Sequence, residues 1–229
     1  MSINKNIDLV KQRIKSAAIR AGRNPEDVKL LGVSKSVENE AITEAYNAGL
    51  TDFGENYAQE FRDKHQLLNN ELSNVRWHFI GHLQKNKIKY VIGKTHLIHS
   101  VDSLGLAGEI NRRSEKLGIK TNILIEINSG SEETKTGLSF TDAEKVIEDI
   151  TDLKNIGFKG LMTMTPYFDN PDRSRPYFKE LKLFSNNIIK KHPYAVEISM
   201  GMSGDFEVAV EEGSTIVRVG TAIFGERKN

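Results

Sequence analysis

Short β-rich runs alternate with amphipathic helical patterns along the whole chain, and this repetition constrains the fold more than any other feature. The runs occupy 28–33, 51–55, 76–81, 95–100, 121–127, 157–162, 194–200 and 215–220. Between them, apolar residues recur at helical spacing over 38–48, 56–70, 84–91, 103–117, 141–151, 172–191 and 204–212. Thr141 with Glu144 three residues on predicts a capping box, and Gly49, Gly118 and Gly213 stand where a helix-ending glycine belongs. Eight strands, each followed by a helix or by the chain end, predict an α/β fold of the closed (β/α)8 TIM-barrel class. The rival is an open doubly wound sheet, which would be expected to carry a Gly-rich phosphate turn after an early strand. None is present.

A further helix is expected over 1–22, ahead of strand one. Ile7, Val10, Ile14, Ala17, Ala18 and Ala21 form its apolar stripe, and it could cover the barrel floor. The same segment lacks the continuous apolar core of a secretory signal, and Asp8 with the regular stripe argues against a mitochondrial leader. No Pro/Gly/Ser-rich linker or shift of composition divides the chain, so residues 1–229 are expected to form one domain.

Lys plus Arg number 32 against 31 Asp plus Glu, which leaves no global field to attract nucleic acid or an anionic membrane. The chain has no cysteine, and that excludes disulfides, thiolate nucleophiles and Cys-based zinc sites. Its apolar stretches are strand-sized, short of the roughly 20 residues of a membrane helix. A soluble cytoplasmic protein without nucleic-acid or membrane partners is expected.

A barrel brings the C-terminal ends of its strands to one mouth, where chemistry resides. The residues at those ends are Lys35; Glu55 and Asn56; His82 and Gln84; Ser100 and Asp102; Asn128; Met162 to Thr165; Ser199 to Ser203; and Gly220 with Thr221. Lys35 ends the run "LLGVSK", and a lysine there is either a solvated surface group or an amine aimed into the mouth. The loops "SMGMSGD" (199–205) and "RVGTAIFG" (218–225) are small, carry the Ser203 and Thr221 hydroxyls, and run into helix starts. Free backbone N–H groups at such starts form an anion site, although glycine there also serves as plain turn chemistry. A phosphate cup opposite a lysine suggests a phosphorylated aldehyde. Pyridoxal 5'-phosphate is such a cofactor, and its sites pair a Schiff-base lysine with a residue addressing the pyridine nitrogen. Arg218 shares a strand face with Gly220 and fits that second role; a salt bridge on the barrel exterior is the alternative.

Other constellations carry less. His78 and His82 lie four apart on a strand without the carboxylate of a zinc-protease motif, and His96 and His99 should point to opposite faces. Trp77 and Phe79 read as core.

Taken in order, "GVSK", "DFGEN", "WHFIGHLQKNK", "SMGMSGD" and "RVGTAIFG" closely resemble the YggS/PROSC family of pyridoxal phosphate homeostasis proteins over nearly the whole chain. The resemblance implies a barrel of the alanine racemase N-terminal type, with the cofactor held as a Schiff base on Lys35. It further implies that Ser203, Gly220 and Thr221 hold the phosphate and that Arg218 faces the pyridine nitrogen. Asn56, His82 and Met202 complete the expected cofactor-binding set. The chain departs from the family at Val37, where many members carry a second lysine; Lys135 is the remaining candidate for a secondary one. The family is regarded as non-enzymatic. The chain's stop nine residues after the last strand, with no room for the second domain of the racemases, points the same way. The expected function is therefore vitamin B6 homeostasis without turnover, with a minimal racemase-like enzyme as the alternative. The expected partners are the cofactor and apo forms of enzymes that use it, and a monomer is expected, a weak dimer being the alternative.

Overall fold

In the computed structural model, which describes residues 2–130 and 136–226, eight parallel strands pair in sequence order and close into a barrel. The strands are β1 (Lys29–Val33), β2 (Asp52–Glu55), β3 (Arg76–Phe79), β4 (Leu97–Val101), β5 (Thr121–Ile127), β6 (Ile156–Thr163), β7 (Glu197–Ser199) and β8 (Ile216–Val219). Closure is made by β1 on β8, with Leu31 opposite Arg218. The helices are α1 (Ile3–Arg20), α2 (Asn39–Asn47), α3 (Ala58–Leu68), α4 (Ile88–Val91), α5 (Leu104–Leu117), α6 (Phe140–Ile150), α7 (Arg175–Lys191), α8 (Phe206–Glu211) and α9 (Thr221–Phe224). Every predicted strand is present, and the predicted helices appear with ends moved by a few residues.

Strand alternation divides the core in two. Leu31, Val33, Ile80, Leu97, Leu124, Met162 and Ile216 pack together inside the barrel. Phe53, Trp77, Phe79, Ile98, Ile123, Ile125, Leu161, Ile198, Val217 and Val219 face outward against the helices. At Gly160, with φ +143°, an added Cβ would lie within 1.9 Å of the Glu197 carbonyl oxygen, so β6 and β7 approach there only without a side chain.

The N-terminal helix does not cover the floor. α1 packs against α8, α9 and α2, filling the place in the outer ring that a long helix after β8 would otherwise take. Ile7, Val10, Ile14, Ala17 and Ala18 are buried, while Ala21, counted in the stripe, is exposed. Burial of each large aliphatic side chain contributes about 1.5–3 kcal/mol. Two ion pairs, Arg13–Glu207 at 2.7 Å and Arg20–Glu211 at 2.8 Å, tie α1 to α8. Among the described residues, β8 is followed by the four-residue α9, and α1 packs beside it in the ring.

The capping box is also displaced. Ser139, not Thr141, caps α6: its Oγ accepts from the Asp142 N–H at 3.1 Å and donates to the Asp142 carboxylate at 2.7 Å. Ser139-x-x-Asp142 takes the place expected of Thr141-x-x-Glu144, and Phe140, in the first turn, packs its ring against Phe184. Gly118 ends α5 in the left-handed conformation as expected. Lys135 lies outside the described residues. Among the described residues, no helix is long and apolar enough to cross a membrane.

Candidate functional site

The mouth holds a cavity of about 260 Å³, just below the roughly 300–1,000 Å³ typical of small-ligand pockets. Lys35, Asn56, Met202, Ser203, Arg218, Gly220 and Thr221 all line it. These seven come from four strand ends separated by up to most of the chain, and the barrel closure between β1 and β8 sets Lys35 beside the cup residues. His82, placed in the same set by sequence, does not line the cavity. It is exposed, and its Nδ1 lies 3.5 Å from the Asp102 carboxylate at the rim. Ile80, just past the end of β3, still lines the cavity, and Gly81 then carries the chain past Asn56 and outward.

Lys35 is half-buried on a tight turn in which the Val37 N–H donates to the Ser34 carbonyl at 3.0 Å. Ser36, next in the turn, has φ +55°, a left-handed conformation costing a non-glycine residue roughly 1–2 kcal/mol. A buried ionic cluster sustains it. Lys64 Nζ donates to the Ser34 carbonyl at 2.6 Å, to Glu55 Oε1 at 3.0 Å and to Glu60 Oε1 at 2.7 Å, while Glu60 Oε1 accepts the Ser36 N–H at 2.5 Å. Ser34 Oγ donates to Glu55 at 2.6 Å. Glu55 therefore faces α3 rather than the mouth, and its neighbour Asn56 alternates into the cavity. Burial pushes the Glu55 carboxyl up, opposed by Lys64 and the Ser34 hydroxyl.

Arg218 is buried inside the barrel, not on its exterior. It donates to the Ser199 carbonyl at 2.8 Å, to Ser199 Oγ at 2.7 Å and to the Thr163 carbonyl at 2.8 Å. All three partners are neutral. Burial lowers its pKa to about 10, with Asp205 and Glu126 pulling the other way, so the group stays cationic at neutral pH. Further along the same strand end, Ser203 Oγ accepts the Gly220 N–H at 3.3 Å and the Ala222 N–H at 3.4 Å. These are long bonds from α9 donors that an anion with more oxygens would satisfy better. The loop bearing Ser203 is fixed by Asp205, which accepts from the Met202 N–H at 2.7 Å, from Ser174 at 3.0 Å and from Thr165 at 3.2 Å.

Two features escaped the sequence reading. Pro166, Tyr167 and Phe168, from the loop after β6, extend Met164 of the expected strand-end set into an apolar wall, and Tyr167 is exposed; aromatics just past a strand end in "TPYF" were the available signal. Beneath the cavity, His78 and His99 sit side by side inside the barrel with nitrogens 2.9 Å apart. His99 points into the barrel by the same alternation that turns Leu97 inward and Ile98 outward, while His96 lies exposed just ahead of β4; both rings still come close to His78, at 5.4 Å for His96 and 5.1 Å for His99 between centroids. No group of three or more metal-binding side chains occurs among the described residues.

Residues 3–228 match the family described as alanine racemase, N-terminal domain. A protein of Aquifex aeolicus named pyridoxal phosphate homeostasis protein is 47% identical over 229 residues, the whole of both chains. PipY of Synechococcus elongatus, whose structure was solved with pyridoxal phosphate bound, superposes with a TM-score of 0.82 at 32% identity, over 94% of this chain and all of that one. An alanine racemase of Clostridium difficile shares the fold, with a TM-score of 0.76 at 18% identity, and this chain matches 57% of its length.

Proposed function

The chain belongs to the alanine racemase N-terminal domain family and, within it, to the pyridoxal phosphate homeostasis proteins, and from that membership we propose that it binds pyridoxal 5'-phosphate through Lys35 and serves vitamin B6 homeostasis without turning over amino acids. The observation that carries the proposal is the meeting of Lys35, Arg218 and the Ser203–Gly220–Thr221 cup on one cavity wall.

The residues fit this group in charge and in hydrogen bonding. The cofactor supplies an aldehyde, a pyridine ring and a phosphate arm. Lys35 offers the amine on a turn whose geometry is fixed from behind by Lys64 and Glu60. Arg218 is a donor only, so it holds a pyridine nitrogen as an acceptor and does not hand it a proton. Ser203 and the N–H groups of Gly220 and Ala222 suit phosphate oxygens. Asn56 Oδ1 is buried with no partner, and its amide offers the ring hydroxyl a hydrogen bond in either orientation.

Holding without turnover is supported by how the cavity's ionisable groups are engaged. Asp205 and Arg218 are tied into hydrogen bonds, and Tyr167 stands at the solvent edge. A racemase needs acid–base groups on both faces of its substrate, each worth about 10²–10⁴-fold. In this reading the protein works in the cytoplasm as a monomer and passes the cofactor to apo enzymes.

Titration with pyridoxal phosphate and with pyridoxal tests the site: the phosphorylated form should bind far more tightly, and Thr221→Val should weaken it selectively. Equal affinities would remove the cup from the proposal. Exchange of amino-acid α-protons in deuterated water should be no faster than with free cofactor. Faster exchange that disappears in Lys35→Ala would make the protein an enzyme.

A further inference from the structure

A continuous chain of hydrogen bonds crosses the barrel interior from Arg218 at the mouth to Asp52 at the start of β2. Arg218 donates to Ser199 Oγ at 2.7 Å. Ser199 Oγ meets His99 Nδ1 at 2.9 Å, His99 Nε2 meets His78 Nδ1 at 2.9 Å, and His78 Nε2 meets Asp52 Oδ1 at 3.1 Å. Asp52 also accepts two bonds from Arg76. Ser199 and His99 are fully buried and His78 nearly so.

The two ends dictate the direction of every proton between them. A carboxylate only accepts, so His78 presents Nε2–H to Asp52 and a lone pair at Nδ1. That lone pair takes the Nε2–H of His99, whose own Nδ1 is then an acceptor for the Ser199 hydroxyl. The hydroxyl, having given its proton to His99, is left with lone pairs for Arg218. Each group donates once toward Asp52 and accepts once from the Arg218 side. The reverse order would set a lone pair of His78 against the Asp52 carboxylate and leave Ser199 accepting from both sides. A second proton on either ring would add a cation to a buried interior that already holds Arg218, and burial lowers the pKa of both rings.

We propose that Asp52, His78, His99 and Ser199 are positioning residues for Arg218: a one-directional hydrogen-bond chain in which the Asp52 carboxylate, held by Arg76, sets the direction of every proton up to Ser199 and so fixes the orientation of the guanidinium at the cavity wall. Arg218 has no carboxylate among its hydrogen-bond partners, and hydrogen bonds in such a chain polarise one another, which makes Ser199 Oγ a stronger acceptor than a lone serine. The role in cofactor binding rests on the pyridoxal phosphate reading; the proton order does not.

Two measurements separate these. In the protein without cofactor, ¹⁵N NMR of labelled histidine should show His78 and His99 neutral and in the Nε2–H form at neutral pH. Either ring in the Nδ1–H form, or cationic, overturns the chain whatever the protein binds. In the protein loaded with pyridoxal phosphate, Ser199→Ala removes only a hydroxyl and should weaken binding roughly two- to tenfold and shift the visible band of the bound cofactor. Asp52→Asn, which removes the charge at a residue outside the cavity lining, should shift that band in the same direction. Bands unchanged in both folded variants overturn the positioning role. If the unsubstituted protein binds no cofactor while the NMR result holds, the failure lies in the proposed function and not in the chain.

Discussion

Replacing Lys64 with methionine tests whether the turn that presents Lys35 is held by charge. Lys64 Nζ lies within 3.0 Å of Glu55 and Glu60 and within 2.6 Å of the Ser34 carbonyl, in surroundings that leave the Glu55 side chain 0% exposed. Methionine refills most of the volume, so little cavity results. The loss is electrostatic: Glu55 keeps one hydroxyl donor, from Ser34, and no counter-charge. Removing one partner of a buried pair in this way costs about 3–5 kcal/mol. The sign with pH follows from Glu55, whose carboxyl is already pushed up by burial and loses the lysine that opposed the rise. In the variant the folded state takes up a proton at higher pH than the unfolded state. The penalty is therefore full at alkaline pH and shrinks as pH falls through the raised pKa. Urea denaturation at about pH 8 and about pH 5.5 should show the larger loss at the higher pH. Adding Glu55→Gln should restore at least half, since replacing both partners of a buried pair is close to neutral. A loss under about 1 kcal/mol at pH 8, the size of an exposed ion pair, would refute the reasoning.

Burial keeps His78 and His99 neutral below the ordinary histidine value of about 6.5. Their contribution to stability is present above that value and declines as pH falls below it, by up to about 1.4 kcal/mol per pH unit for each ring. Denaturation of the protein and of His99→Leu over about pH 7.5–5.5 should give the shallower slope in the variant, and parallel curves would contradict the assignment. At Gly81 an added Cβ would lie 2.2 Å from the Asn56 carbonyl oxygen, a main-chain atom. Gly81→Ala should therefore cost more than about 2 kcal/mol and weaken cofactor binding by displacing Asn56. Gly108→Ala, inside α5 with nothing within 4 Å, should stabilise by about 0.5–1 kcal/mol. Equal effects of the two substitutions in a thermal melt would show that the close passage at Asn56 does not matter.

Much of the barrel was legible because both of its signals are local. Alternation within "TIVRVG" sets Arg218 and Gly220 on one face, and the glycine-terminated helices reveal the repeat. Closure then carries Lys35 next to Thr221 with no further information. What sequence did not disclose depends on elements meeting. α1 was placed on the floor because an amphipathic stripe states that a helix is buried and not against what. In the Lys64 cluster only the Glu60–Lys64 pair, four apart on α3, has a readable spacing; Ser34 and Glu55 join it from other elements, and no spacing connects those. His99 was set aside because it shares no strand face with His96, and its partners His78 and Ser199 come from two other strands. His82 follows a strand end like its neighbours, but the chain turns away at Gly81, and a strand-end rule does not sense that turn.

The claim tested most directly is that Lys35 is the residue joined to pyridoxal phosphate. The purified protein, loaded with the cofactor, is treated with borohydride, digested and mapped by mass spectrometry. The expected result is one reduced adduct on the peptide carrying Lys35, absent in Lys35→Ala, with loss of the visible band on reduction. An adduct of equal yield on another lysine, persisting in Lys35→Ala, would contradict it.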